Sequence, residues 1–390
     1  MTLTVRAYNV LFGDCILLSW DEDDGPHHAW IDFGNMSNDP NPMFDVVYEN
    51  VLARTGGRLD LVIVTHRHLD HLDGFHVCRQ RFASDFQIDR LWHAHVTPAL
   101  DTVFQLADGA LAALLPRSAL NGEGEIGRLY QNNQFLSTKD RMATILQTFP
   151  ATSAHAVHRQ LDLHAEQALP PGMHRMAIQV LAPERDSRRY LQSLDEGLAS
   201  RQALQRSFDA LPADATRPTT GPPGQPTVPD SDFVFLPELA DFARLRRKLR
   251  TGGLETLAAV DKTRNNTSLV TRWTYDQTIT LLLTGDAELM SWAIMDANGV
   301  DFTADLVKVG HHGSSNASPT WSFTRVFPQV RAANAVLLST DHTRFTGENE
   351  VPEQSVLDGW RARVTSLSRL KRTDSPGLPA GSSISFRFDT

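Results

Sequence analysis

The segment Thr65-His66-Arg67-His68-Leu69-Asp70-His71 places three histidines and an aspartate within six positions. It directly follows the apolar run Leu61-Val62-Ile63-Val64, so a buried strand empties into a loop crowded with metal-binding groups. Neutral imidazole nitrogens suit zinc and other first-row metals, and a carboxylate adds charge. Four ligands so close in sequence crowd a single ion. They divide naturally between two ions side by side, His66 and His68 for one, Asp70 and His71 for the other. Two adjacent cations form a clamp for hydrolysing an ester or phosphodiester.

Three other strand ends supply what this loop lacks. Ile31-Asp32-Phe33-Gly34 ends a strand in an acid beside a glycine. Asp32 there is suited to accept a hydrogen bond from a metal-bound histidine and fix its tautomer. Leu281-Leu282-Leu283-Thr284-Gly285-Asp286 delivers a second carboxylate, whose two oxygens suit it to bridge two metals. Leu306-Val307-Lys308-Val309-Gly310-His311-His312-Gly313-Ser314-Ser315 delivers two histidines. One of that pair is expected to ligate the second metal and the other to meet the substrate or supply a proton. Adjacent side chains diverge, so spacing alone leaves the choice between His311 and His312 open. Asn266 and Ser314 are candidates for substrate hydrogen bonds or for structural turn roles. Lys308 alternates with Val307 and Val309, which reads as a solvent-facing position.

These groups need strands to carry them. Val5–Tyr8, Cys15–Leu18 and Ala29–Asp32 read as strands, as do Ile88–Trp92 and Met176–Leu181. Thr267–Trp273 and Thr278–Leu283 read as a strand pair. Leu306–Val309, Ala335–Leu338 and Ser383–Phe388 complete the set. Helices are expected over Asp73–Arg81, with its acid at the N-terminal end, over Met290–Met295, and through a stretch reaching about residue 150. In that stretch Ser137-Thr138-Lys139-Asp140 resembles a capping box. Leu211 to about residue 230 is rich in proline and glycine and reads as a mobile loop inserted within a domain. The basic run Arg244–Arg250 follows on an expected helix.

Together the motifs resemble the metallo-β-lactamase fold hydrolases. The Thr-His-x-His-x-Asp-His loop is matched by Thr65, His66, His68, Asp70 and His71. The early strand acid is matched by Asp32, the bridging acid by Asp286 and the last histidine motif by His311-His312. The branch that includes the hydrolase domain of bacterial DNA-uptake (competence) channel proteins is similar in four places. These are Tyr8-Asn9-Val10 to Gly13-Asp14-Cys15, Asn265–Val270, Leu283–Asp286, and His311–Ser314. The resemblance implies an α/β chain built as a four-layer αββα sandwich, a single domain over 1–390. Insertions over about 100–170 and about 187–255 would add a helical segment and the loop 211–230. It implies two divalent metal ions, zinc or manganese, held by His66, His68, Asp70, His71, Asp286 and His311 or His312. Asp70, His311 and His312 are the expected catalytic residues. The family's remaining histidine of the first metal site has no counterpart, because the matching strand ends Leu181-Ala182-Pro183. His93, His95, His155, His158 and His164 are the available substitutes. The His66-His68 site is therefore expected to hold its ion less well.

Composition bounds the reading. The chain has 390 residues, 41% hydrophobic, which is enough for a sizeable core. A formal net charge of −9 argues against broad nucleic-acid binding unless a local basic face, Arg244–Arg250 or Arg361–Arg372, offsets it. The two cysteines, Cys15 and Cys78, fall in apolar surroundings and read as core thiols of a reducing compartment. No signal-peptide layout or membrane-length apolar run occurs, so a cytoplasmic protein with no membrane partner is expected. The expected reaction is phosphodiester cleavage by a metal-bound hydroxide, on a nucleic acid or a small phosphodiester. Lactone, ester or thioester hydrolysis on the same metals is the second reading. A regulatory module with weak turnover and a protein partner is the third.

Overall fold

Continuous apolar strands and alternating strands mark different places in a sheet, the first covered on both faces and the second on one. The computed structural model describes residues 1–36, 42–114, 138–159, 170, 172–190, 253–345 and 350–390. The stretch 211–230, the basic run Arg244–Arg250 and His164 lie outside these residues. The chain divides into two compact units. One comprises Met1–His95, Thr138–Arg185 and Asn265–Thr390, and the other Val96–Ser137 and Asp186–Arg264.

The first unit contains two sheets. The seven-stranded sheet is built from β1 (Thr2–Tyr8), β2 (Cys15–Glu22), β3 (Gly25–Phe33), β4 (Arg58–Val64), β5 (Gln87–Ala94), β6 (Ala151–Val157) and β13 (Ser383–Asp389), in the order β13-β1-β2-β3-β4-β5-β6. It is antiparallel from β13 to β3 and parallel from β3 to β6. The six-stranded sheet runs β12-β11-β10-β9-β8-β7, with β7 Met176–Ala182, β8 Val270–Tyr275, β9 Ile279–Leu283, β10 Leu306–Lys308, β11 Ala335–Leu338 and β12 Leu370–Arg372. Its β9 to β12 are parallel.

Side-chain alternation sorts these strands into three apolar seams. Ile16, Leu18, Ile31, Leu61 and Ile63 of the first sheet meet Ile178, Trp273, Leu281, Leu306 and Leu337 of the second. The opposite face of the first sheet, with Trp30, Val62, Val64 and Leu91, is covered by helices α1 (Pro42–Thr55), α2 (Leu69–Val77), α3 (Arg79–Asp85) and α5 (Thr138–Thr148) through Tyr48, Leu72, Phe75, Phe82 and Ile145. The opposite face of the second sheet packs Leu282, Val307 and Val336 against Trp292, Met295, Val326 and Trp360, from α7 (Leu289–Ala297), α8 (Ser322–Val326) and α9 (Gln354–Arg361). The result is the expected four-layer αββα sandwich. Leu61 and Ile63 point into one seam and Val62 and Val64 into another, so a one-residue slip of β4 would exchange two filled cores. Each such side chain is worth about 1.5–3 kcal/mol when fully buried. The register of β4, and with it the position of the histidine loop, is therefore fixed.

Helix boundaries differ from expectation. The expected helix Asp73–Arg81 is two helices, α2 starting four residues earlier and α3 following a turn at Cys78. Asp73 sits within α2 and pairs with Arg141 of α5, while Asp70 is the acid of the first turn. Ser137 of the expected capping box lies outside the described residues. Edge strand β6 falls inside the stretch 100–170 expected as an insertion. Both cysteines are free and buried. In the second unit, α4 (Pro98–Leu114) meets Arg264, whose guanidinium donates to the Phe104 carbonyl at 3.0 Å and lies over its ring. Helix α6 spans Gly253–Asn266. No helix among the described residues is long and apolar enough to cross a membrane.

Candidate metal centre

Parallel strands expose their carboxyl ends on one side of a sheet, and loops there carry function. In the first unit the ends of β3 and β4 bring Asp32 and the Thr65–His71 segment. The ends of β9 and β10 bring Asp286 and the His311-His312 turn. Leu269 N–H donates to the Thr65 carbonyl at 2.8 Å, tying the loops of the two sheets together.

Four groups converge there: Asp70, His71, Asp286 and His312, all buried, with one donor atom from each lying within 4.8 Å of every other. His312 Nε2 is 2.9 Å from Asp70 Oδ2 and 3.5 Å from Asp286 Oδ2. His71 Nε2 is 3.2 Å from Asp286 Oδ2 and 3.7 Å from Asp70 Oδ2. The other nitrogen of each ring is spoken for. His71 Nδ1 lies 2.8 Å from Asp32 Oδ2, and His312 Nδ1 lies 2.8 Å from the Ser339 carbonyl. A carbonyl only accepts, so Nδ1 of His312 carries a hydrogen; the Asp32 carboxylate sets His71 the same way. Both Nε2 atoms therefore face carboxylate oxygens.

Two lone pairs and two carboxylates cannot share this volume without positive charge between them. Protons on the rings or a cation can supply it. Burial opposes the imidazolium of His71, but Asp286, then Asp70 and Asp32, hold its pKa well above the usual value. His312 is raised likewise against burial by Asp286 and Asp70. Burial works against the charged carboxylates too, yet His71 and His312 keep Asp70 and Asp286 below the ordinary range. A divalent cation replaces such protons, because metal ligands bind deprotonated. Two imidazole nitrogens and two carboxylate oxygens fit zinc or manganese.

The backbone that holds these groups is itself constrained. Asp32, His311 and His312 adopt left-handed φ of 53°, 46° and 54°, a conformation non-glycine residues hold only where the surroundings enforce it. Thr65 enforces it at Asp32, donating its N–H and hydroxyl to the two carboxylate oxygens, both at 2.7 Å. Gly34 is needed for close approach, since a Cβ there would lie 2.3 Å from backbone atoms of Asp70 and His71. Gly285, at φ +51°, lets the chain turn Asp286 inward past Thr65 and Ser268.

The remaining expected residues fall into place as follows. His66 and His68 stand next to the tetrad, with His66 Nε2 3.0 Å from His68 Nδ1 and the His66 ring 4.1 Å from that of His71. Among the described residues no cluster of three or more donors includes either of them. Burial, then His71 and His68, hold the His66 pKa well below its usual value. His311 does not join the tetrad. Its ring is half-buried, with Nδ1 3.2 Å from Asn316 Oδ1 and 3.3 Å from Glu288 Oε1. Asn266 Oδ1 accepts the Ser291 N–H at 2.8 Å and so caps the first turn of α7. Ser314 donates its N–H to the His311 carbonyl. Of the substitutes for the absent ligand, His93 Nδ1 lies 3.2 Å from the Ala94 carbonyl, His155 lies 3.0 Å from Ser153 Oγ, and the rings of His95 and His158 meet edge to face with centroids 5.3 Å apart.

Lys308 is a correction. It is buried, not solvent-facing, and its ammonium pairs with Asp14, donates to the Gly285 carbonyl at 2.9 Å and reaches Asp286 Oδ1 at 3.3 Å. Burial opposes that charge, but Asp14 and Asp286 raise its pKa and keep it protonated. β10 is a parallel strand flanked by β9 and β11, so alternation along it separates two buried faces. Asp14 went unassigned for a related reason: a lone acid in a Gly-Asp turn carries no pattern.

No family model matches the sequence, and no curated protein matches it. Twelve chains of solved structures do match. One is the metallo-β-lactamase fold protein YhfI from Bacillus subtilis, with a TM-score of 0.42, 10% sequence identity, and 100% of each chain covered.

Proposed function

We propose that this protein is a divalent-metal-dependent hydrolase that cleaves phosphodiesters. The observation that carries the reading is the buried tetrad Asp70, His71, Asp286 and His312, whose four donor atoms converge while Asp32 and Ser339 fix both rings. A cation bound there would lower the pKa of a water and withdraw charge from the attacked centre. The protein's own groups do the rest. His71 and His312 would offer Nε2 to the cation, and Asp70 and Asp286 would hold it and balance its charge. His66 and His68 line the adjoining space and would be the residues to hold a second, weaker ion. His311, half-buried beside Glu288, holds a proton for the leaving oxygen.

Among the described residues the surface suits a small diester better than a polymer. Most of the basic run Arg361–Arg372 is engaged within the protein, Arg363 with the Phe327 carbonyl, Arg369 with the Asn334 carbonyl, Lys371 with the Ser385 carbonyl and Arg372 with Asp374, while Arg361 pairs with Asp358 at the surface. The diester reading also accords with the likeness of Asn265–Val270 and His311–Ser314 to the hydrolase domain of DNA-uptake channel proteins. Metal analysis followed by assays on bis-p-nitrophenyl phosphate, plasmid DNA and a simple lactone, with zinc or manganese added, tests it. Turnover of the aryl diester that is lost in Asp70→Ala, with folding intact, is the expected result. Turnover of the lactone alone would replace this reading with ester hydrolysis. Absence of both bound metal and turnover would replace it with a regulatory role.

A further inference from the structure

The ammonium of Lys308 has three protons and three acceptors: Asp14 Oδ2, the Gly285 carbonyl and Asp286 Oδ1. Asp286 Oδ1 also accepts the His311 N–H at 3.1 Å. Both lone-pair directions of that oxygen are thereby taken by the protein. Only Oδ2 faces the imidazoles of His71 and His312. Asp14 is equally anchored, its N–H donating to the Asp70 carbonyl at 2.9 Å and its own carbonyl accepting from Gly34. Lys308 belongs to β10 of one sheet and Asp14 precedes β2 of the other. Their ion pair therefore ties the carboxylate from the second sheet to the backbone that carries Asp70.

We infer that Lys308 and Asp14 form a buried cross-sheet clamp that makes Asp286 a single-oxygen ligand and positions it for one tightly bound cation. The inference rests on the metal-dependent reading above and specifies how that site is set. With Oδ1 sealed, a second cation beside His66 and His68 has no free oxygen of Asp286 and must share Oδ2 or do without it. The two halves of the centre are then unequal because of the lysine as well as because of a missing histidine. Lys308 acts through Asp286 and is a positioning residue.

Replacing both partners, Lys308→Met with Asp14→Asn, removes the clamp without changing the net charge near the cation. Isothermal titration with Zn²⁺ alone reads the consequence. We expect the wild type to take up one tight equivalent. The double variant, still unfolding cooperatively, should bind at least about tenfold more weakly, as for other groups that orient a ligand. A folded double variant with wild-type affinity overturns the clamp while leaving the metal centre standing. A wild type that binds no Zn²⁺ overturns the centre and the clamp with it. A second readout needs no variant. The ¹⁵Nζ resonance of the buried, slowly exchanging Lys308 ammonium should shift during the Zn²⁺ titration and stop at one equivalent. A resonance that does not move overturns the inference even if the double variant fails to fold.

Discussion

His71 and His312 differ from His66 and His68 in what stands behind the ring. Each of the first pair has Nδ1 against a fixed oxygen, Asp32 or Ser339, and Nε2 against carboxylates. The second pair meet each other at 3.0 Å, His66 Nδ1 has the Thr65 hydroxyl at 3.3 Å, and among the described residues neither ring belongs to a cluster of three or more histidine, cysteine or acidic groups. The pKa directions diverge accordingly, raised for His71 and His312 and strongly lowered for His66. Adjacent positions in one loop thus become opposite instruments. His71 and His312 turn Nε2 toward carboxylates that favour the imidazolium, whereas burial and the neighbouring rings of His71 and His68 disfavour it at His66.

The largest effect should come from Asp286→Ala, which removes the carboxylate both rings of the strong half share. Cation binding and turnover should both be abolished, measured by Zn²⁺ titration and diester assay. Retained tight binding would show that the strong half does not depend on both sheets. Gly34→Ala comes next. Its Cβ would meet the Asp70 and His71 backbone at 2.3 Å, and backbone cannot rotate away. We expect destabilisation of about 3 kcal/mol or more in urea unfolding, with metal affinity falling in whatever remains folded. A stable variant with full affinity would mean that the close approach does not set the strong half.

Much of this centre is legible in the sequence, for a physical reason. Strands β4 and β9 are apolar runs that end in donors, so Asp70, His71 and Asp286 announce themselves at the carboxyl ends of buried strands. The choice of His312 over His311 is not legible. It depends on a left-handed turn that rotates one ring inward and the other toward Glu288. Alternation at Lys308 suggests water on one face, whereas β10 is covered on both. Asn266 has the residue type of a substrate contact, yet its carbonyl oxygen is used on α7. The break between α2 and α3 falls at Cys78, where neither glycine nor proline signals it.

Asp32→Asn weakens the strong half without removing a ligand. The His71 ring loses its anionic acceptor and its tautomer is no longer enforced. Zn²⁺ affinity should fall by about 10- to 100-fold, with His312 unaffected. An unchanged affinity would mean that the backing carboxylate does not distinguish the two kinds of histidine.

The same contrast predicts an acid limb of stability remote from the centre. His28 is buried on β3 beside Ser19 with no carboxylate on its ring, and burial, then His27 and Arg58, lower its pKa to about 4. A folded pKa below the unfolded value of about 6.5 means that the unfolded state binds the proton first. The contribution is present above pH 6.5 and is lost as pH falls toward 4. It amounts to about 2 kcal/mol between pH 7 and pH 5. His28→Gln should flatten that part of the pH-stability curve, followed by thermal unfolding. A variant curve parallel to the wild type would show that His28 does not carry it.

The smallest effect is expected from His68→Gln, and it discriminates most finely. If the two halves are separate devices, the tight Zn²⁺ affinity should be unchanged, because His68 contributes no atom to the tetrad. Only a weaker second uptake, seen at high Zn²⁺, should disappear, together with any rate gain that accompanies it. A loss of tight binding as deep as that of Asp286→Ala would make the centre one cooperative unit. The 3.0 Å contact between His66 and His68 would then be its metal-free resting form, opened when a cation enters. The titration separates the cases by stoichiometry: two independent steps in the wild type and one in the variant, or a single step lost altogether.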